Sequence, residues 1–171
     1  MSSRSHAQSA ASARSAEQRF ASLGYANRPA AKPLASYVPF VVTGDLAFVS
    51  GHGPLDPEGR PVAVGRLGEQ LTVAQGRDAA RLATINLLAS LRGALGSLDR
   101  VSAVCQLTGY VRCAPGFSGL DDVMAGSSEL LAEVFGDDIP IHVTTCAVTE
   151  CVLGLAVTVD AVFAVDSGSA D

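Results

Sequence analysis

Hydrophobic positions in this chain follow two periods, and the switch between them marks the elements. Val101 to Arg112 and Leu155 to Val165 are almost continuously apolar or β-branched, which predicts two strands of a buried sheet. A third strand is predicted from His142 to Thr149. Earlier, Phe40-Val-Val-Thr and Leu46-Ala-Phe-Val-Ser flank Gly44-Asp45 and predict a hairpin. Between the hairpin and the first long helix, Pro57, Gly59 and Pro61 break the chain before Val62-Ala-Val-Gly, read as a loop and a short edge strand.

The helical period takes over after Thr72. Ala80, Ala83, Leu87, Leu91 and Leu95 recur every three or four residues, while Arg77, Asp78, Arg81 and Arg92 fall off that stripe. Thr72 is the predicted cap and Gly96 the predicted stop. A second helix is predicted on Leu120, Val123, Met124, Ser127, Leu131 and Val134, capped by Ser118 and ended by Gly136. A short helix starting near Ala16 places Phe20 and Leu23 on one face before Gly24. The order strand, strand, edge strand, helix, strand, helix, strand, strand predicts an α+β fold: a mixed six-stranded sheet with two helices on one face.

Composition sharpens this picture. With 171 residues, 48% of them apolar and only 17% charged, the chain is long enough for one core and too hydrophobic to be disordered. A single domain is expected over residues 17–166, after a Ser/Ala-rich tail (1–16) and before a frayed end (167–171). No uncharged run approaches the roughly 18 residues that span a bilayer, so no membrane association is expected. Two helices cover only one sheet face, yet Val101, Val104, Val157, Val159 and Val162 exceed simple alternation. The bare face is therefore expected to pack against another chain, driven by about 25 cal/mol per Å² of apolar surface hidden.

Charge narrows the partners. Twelve basic against 17 acidic residues give −5, with no basic cluster, which argues against nucleic acid. The four cysteines, Cys105, Cys113, Cys146 and Cys151, lie in or beside strand-like runs without CxxC spacing; reduced thiols and a cytoplasmic location are expected.

Several short motifs then resemble one family. Ala35-Ser36-Tyr37-Val38-Pro39, Gly44-Asp45-Leu46-Ala47-Phe48-Val49-Ser50-Gly51-His52-Gly53-Pro54, Leu98-Asp99-Arg100-Val101 and Ala114-Pro115-Gly116-Phe117, with the final paired strands, resemble the Rid/YjgF family of reactive enamine/imine deaminases, once described as endoribonucleases. The resemblance covers about Leu23 to Val165 and implies the chorismate-mutase-like YjgF fold. It also implies a barrel-shaped homotrimer, small-molecule clefts between subunits, and no metal or organic cofactor. Tyr37 and the backbone at Ser50-Gly51 would line the cleft, with Phe117 beside them. The chain departs from the family at three places. His52 replaces the usual glutamine, Val143 stands where a carboxylate-gripping arginine belongs, and Thr158 stands where an acid belongs.

From the residues themselves, His52 is the first candidate for acid/base work, because an imidazole titrates near neutral pH and glycines flank it. Tyr37 can donate a hydrogen bond to a carbonyl or imine. Glu150, an acid at a strand end, has two open readings: a third catalytic candidate, if partial burial raises its pKa, or an exposed turn glutamate. Thr145 and Cys146 must point to opposite faces, and spacing from Val143 favours Thr145 as the substrate contact. The expected function is acid/base chemistry on a reactive imine, enamine or related carbonyl compound. The alternative is a trimer that binds a small molecule and has lost catalysis.

Overall fold

The computed structural model describes residues 14–30, 36–136 and 139–166. The chain-end segments expected to be tail and frayed terminus lie outside them, apart from residues 14–16. Helix α1 (Ala16–Phe20) opens on a capping box: the Ser15 hydroxyl accepts from the Gln18 amide, and the Gln18 side chain answers to Ser15 N–H. A hairpin follows, β1 (Phe40–Thr43) and β2 (Leu46–His52), turning at Gly44 with a positive φ. Helix α2 (Val73–Leu95) is capped by Thr72, again in a capping box with Gln75, and ends at Gly96 in the left-handed conformation. Next come β3 (Val101–Arg112), α3 (Leu120–Phe135), β4 (Ile141–Val148) and β5 (Val157–Val165).

The sheet order is β1-β2-β5-β3-β4, antiparallel except for the β3–β4 pair, which α3 connects as a crossover. Five strands form where six were expected. Val62–Gly65 makes only one bridge, Val64 to Leu155, because Pro61 brings no amide donor and Gly65, at φ 141°, turns the chain away. Ser118 does not cap α3. The cap position is Gly119, and the carboxylates of Asp121 and Asp122 complement the helix N-terminus instead.

Both long helices lie over one sheet face. Along β5 burial alternates strictly, with Val157, Val159, Ala161, Phe163 and Val165 in the core beneath Leu87, Leu88, Leu91, Leu130 and Leu131. The helices meet closely at Gly126, where an added Cβ would collide with the Arg77 carbonyl. Thr84 donates to Ser127 across that seam at 2.8 Å, and Arg77–Glu129 and Arg81–Glu133 ion pairs bridge its outer rim.

The opposite face divides into two halves. Cross-strand pairing sets Val41 beside Phe48, Phe48 beside Val162 and Val162 beside Gln106. Val41 and Phe48 remain 50% and 44% exposed. Toward the C-terminal end of β3 the face turns polar, because Thr108 pairs with Asp160 and Tyr110 with both Thr158 and Cys146.

Candidate active site

The polar half begins at an irregularity in β2. Ladder pairing to β5 slips between Val49 and His52, so Ser50 and Gly51 bulge out beside Thr158, whose methyl would lie 3.4 Å from a Cβ on Gly51. Ser50 N–H donates to the Pro39 carbonyl (2.9 Å) and its hydroxyl to the Val38 carbonyl (3.0 Å). These bonds hold the segment of Tyr37 against the bulge, with Tyr37 itself 45% exposed. Tyr37, Ser50 and Gly51 are thus brought to one end of the sheet.

The same slip turns His52 inward. Strict alternation would aim it outward with Phe48 and Ser50, but it pairs with Val159, a core residue, and is only 5% exposed. Its Nδ1–H donates to the Ser50 carbonyl at 2.6 Å, which leaves Nε2 to accept from the Ser90 hydroxyl of α2 at 2.8 Å. Burial lowers the imidazole pKa, the Ser50 carbonyl partly opposing it. His52 therefore joins strand to helix as a neutral ring on the far side from the bulge.

Val143 and Thr145 also turn to the helix side, since they pair with Leu107 and Gly109, both buried, and Val143 packs on the core. The β4 residue beside Tyr110 is Cys146. Phe117 packs on the core and against the Gly68 turn.

Glu150 takes the exposed of its two expected states. Its side chain is 62% exposed and held by two guanidiniums, Arg66 Nη2 to Oε1 at 2.5 Å and Arg112 Nη2 to Oε2 at 2.8 Å. Arg66 first, then Arg112, hold its carboxyl below the ordinary range, the reverse of the raised pKa anticipated from burial.

Around Tyr110 the face is rich in groups that carry protons. Asp160 beside the phenol pushes its pKa up, with burial adding, so Tyr110 keeps its proton and serves as a donor. The Cys151 thiol donates to the Tyr110 carbonyl at 3.8 Å. Burial pushes that thiol up, Thr158 and Arg112 partly offsetting the rise. Thr158 Oγ1 and Arg112 Nε are both buried without a hydrogen-bond partner at normal geometry. Two polar atoms left unsatisfied near one strand end are costly unless something else meets them.

A family model described as "YjgF/chorismate mutase-like, putative endoribonuclease" matches residues 17–163. The chain belongs to the YjgF family. Protein TCP17 of Trypanosoma cruzi is 38% identical over 141 residues, covering 81% of this chain and 87% of its own length. Among solved structures, protein Atu1372 of Agrobacterium tumefaciens, of unknown function, is 31% identical with a TM-score of 0.77, over 88% of this chain and 94% of that one. A Shewanella oneidensis protein described as a "putative endoribonuclease" is 27% identical with a TM-score of 0.83, over 89% of this chain and 100% of that one.

Within this YjgF chain, Arg66, Tyr110 and Asp160 were not singled out by sequence reasoning. For Tyr110 and Asp160 the signal was present: Thr108, Tyr110 and Arg112, like Thr158 and Asp160, are the polar positions of period-two strands whose other face is apolar. Arg66 carries no such mark, since a loop between Gly65 and Gly68 has no period. Among the described residues no helix is long and apolar enough to cross a membrane.

Proposed function

We propose that this YjgF-family chain acts as a homotrimer, with the bare sheet faces turned toward one another, on a reactive imine, enamine or related carbonyl compound held at the Ser50–Gly51 bulge. The observation that carries this reading is the bulge itself set against the unpartnered Thr158 hydroxyl, with the protonated Tyr110 phenol and the Asp160 carboxylate on the same face. The apolar half of this face, with Val41 and Phe48 exposed and Val162 paired beside Phe48, supports a second copy as its cover.

In this reading Tyr110 or Tyr37 donates a hydrogen bond to the imine nitrogen and so makes its carbon more electrophilic. Thr158 and the Ser50–Gly51 backbone orient water, and Asp160 takes the proton as water adds. Proton return to nitrogen lets the carbinolamine collapse, the C–N bond breaking to release ammonia and a carbonyl product. An enamine enters by protonation at its carbon, which yields the imine. No redox partner is needed.

The test generates imines in situ with an amino-acid oxidase and traps the survivors with semicarbazide. Added protein is expected to lower the semicarbazone yield in proportion to its concentration. Unchanged yields across aliphatic and aromatic imines would overturn catalysis. A second reading, a binding trimer without turnover, is favoured by Thr158 in place of an acid. Tight retention of an unaltered carbonyl acid, with no turnover, would select it.

A further inference from the structure

Two buried polar residues of α2 hold the chain at the bulge and beyond it. Asn86 and Ser90 lie four residues apart and so share a face of the helix. Both are buried, where an apolar side chain would need no partner. Asn86 holds the chain that follows the bulge: Nδ2 donates to the Gly53 carbonyl at 2.9 Å and to the Leu55 carbonyl at 3.0 Å, while Oδ1 accepts from Arg28 Nε at 3.0 Å. Ser90 reaches the bulge through His52. Its hydroxyl meets Nε2 at 2.8 Å, and Nδ1–H donates to the Ser50 carbonyl at 2.6 Å.

That carbonyl is available to the ring because of Pro39. Ser50 continues the β1–β2 register beyond the Phe40–Val49 pair, and its N–H donates to the Pro39 carbonyl. Any other residue at position 39 could return the bond to the Ser50 carbonyl; proline has no amide to give. The Ser50–Gly51 peptide lies in the ladder slip and ends on glycine, whose dihedrals are the least confined, so the backbone alone leaves its orientation open. The ring sets it. In a planar trans peptide the C=O and N–H point in opposite directions. With His52 on the helix side, the Ser50 carbonyl leans inward and the Gly51 N–H leans outward, at an exposed residue beside Thr158.

We infer that His52 is a positioning residue: by clamping the Ser50 carbonyl on the helix side it aims the Gly51 N–H into the cleft as a fixed hydrogen-bond donor, with Ser90 locking the ring and Asn86 the chain beyond. This deepens the proposed reaction and rests on it for the acceptor. The N–H donates to the oxygen of the incoming water and, after addition, to the same oxygen as the carbinolamine collapses to the carbonyl product. The bond to Ser50 also polarises the peptide, which strengthens Gly51 N–H as a donor. The imidazole itself gives and takes no proton.

Three variants and one control test the inference, with circular dichroism and sedimentation confirming fold and assembly. Crystal structures read the peptide: His52→Leu is expected to release the Ser50–Gly51 peptide from its single orientation, and His52→Gln, which keeps an N–H donor, to retain it. Steady-state hydrolysis of the imines of leucine and of phenylalanine, generated in situ by an amino-acid oxidase, reads the consequence. His52→Leu is expected to lower kcat at least tenfold with KM changed less than threefold, Ser90→Ala to lower kcat at least threefold, and His52→Gln to stay within threefold of wild type. Thr84→Val, which removes an equally buried hydroxyl at the α2–α3 seam, is expected to leave both constants unchanged. An unmoved peptide in His52→Leu, a wild-type kcat in that variant, His52→Gln as slow as His52→Leu, or an equal loss in Thr84→Val would each overturn the inference. Where His52→Leu fails to fold, Ser90→Ala decides, and a wild-type kcat there overturns it. No imine turnover by wild type would remove the proposed reaction, and the peptide orientation in the variant crystals would still decide the clamp. Turnover that His52→Leu leaves untouched would sink the clamp and leave the reaction standing.

Discussion

Phe48→Asp is expected to dissolve the assembly without unfolding the subunit. Phe48 lies on the bare face between Val41 and Val162, outside the core cluster, and is 44% exposed in the single chain. A phenylalanine buries about 150–250 Å² when fully covered, so roughly 90 Å² is open to be hidden by a neighbour. At about 25 cal/mol per Å² this contributes about 2 kcal/mol per copy and about 6 kcal/mol over a trimer. That is roughly four decades in the trimer dissociation constant, before the cost of placing aspartate in the interface. Sedimentation velocity across micromolar concentrations measures it: wild type is expected at the trimer mass and Phe48→Asp at the monomer mass, with unchanged far-ultraviolet circular dichroism. A wild-type chain sedimenting alone, or a variant that assembles as well as wild type, would refute the assignment of this face.

Other perturbations address the interior and the charge. Burial lowers the His52 pKa from an unfolded value near 6.5, so its contribution is complete above that pH and is lost as pH falls toward the folded value. Urea midpoints should therefore show wild type losing its advantage over His52→Gln between pH 7 and pH 5, by up to about 1.4 kcal/mol per pH unit; a constant difference would contradict the buried neutral ring. Ser90→Ala removes a hydroxyl that meets His52 Nε2 and should cost about 1–3 kcal/mol in the same assay at pH 7.5. Gly126→Ala opposes two effects: helix propensity favours alanine by about 1 kcal/mol, while the Arg77 carbonyl leaves no space for the methyl. Overpacking against backbone, about 1–3 kcal/mol, should win and lower Tm, and a higher Tm would show that the helices separate freely. With a net charge of −5, the protein should not retain single-stranded RNA even at low ionic strength, as a filter-binding titration would show.

The fold was legible where local hydrogen-bond chemistry decides the outcome. Thr72 and Gly96 bound α2 because a hydroxyl cap and a left-handed glycine are properties of single residues, and the ends of β1 and β3 fall at Gly44 and at the turn after Arg112. The edge strand at Val62–Gly65 failed because its ladder had to form against Leu155 and Ala156, far along the chain, between Pro61 and a glycine at φ 141°. The site was legible only in part for the same reason. Tyr37, Ser50 and Gly51 meet at one sheet end, but the direction of His52 depends on a ladder slip that no local pattern announces. The faces of Val143 and Thr145 depend on parallel register with β3, where pairing also shifts between Val104 and Leu107. Glu150 looked like a candidate for burial, yet its state is decided by Arg66, 84 residues away.

The slipped pairing in β2 makes residue spacing, rather than residue identity, the divide between inner and outer chemistry. Deleting Gly51 alone would bring Ser50 opposite Asp160 and the histidine opposite Val159 in regular register, so the outward bulge would vanish while the imidazole kept its place beneath Ser90. A three-nucleotide loss would thus erase the outer feature and spare the inner one, which makes the bulge and the buried ring separately removable.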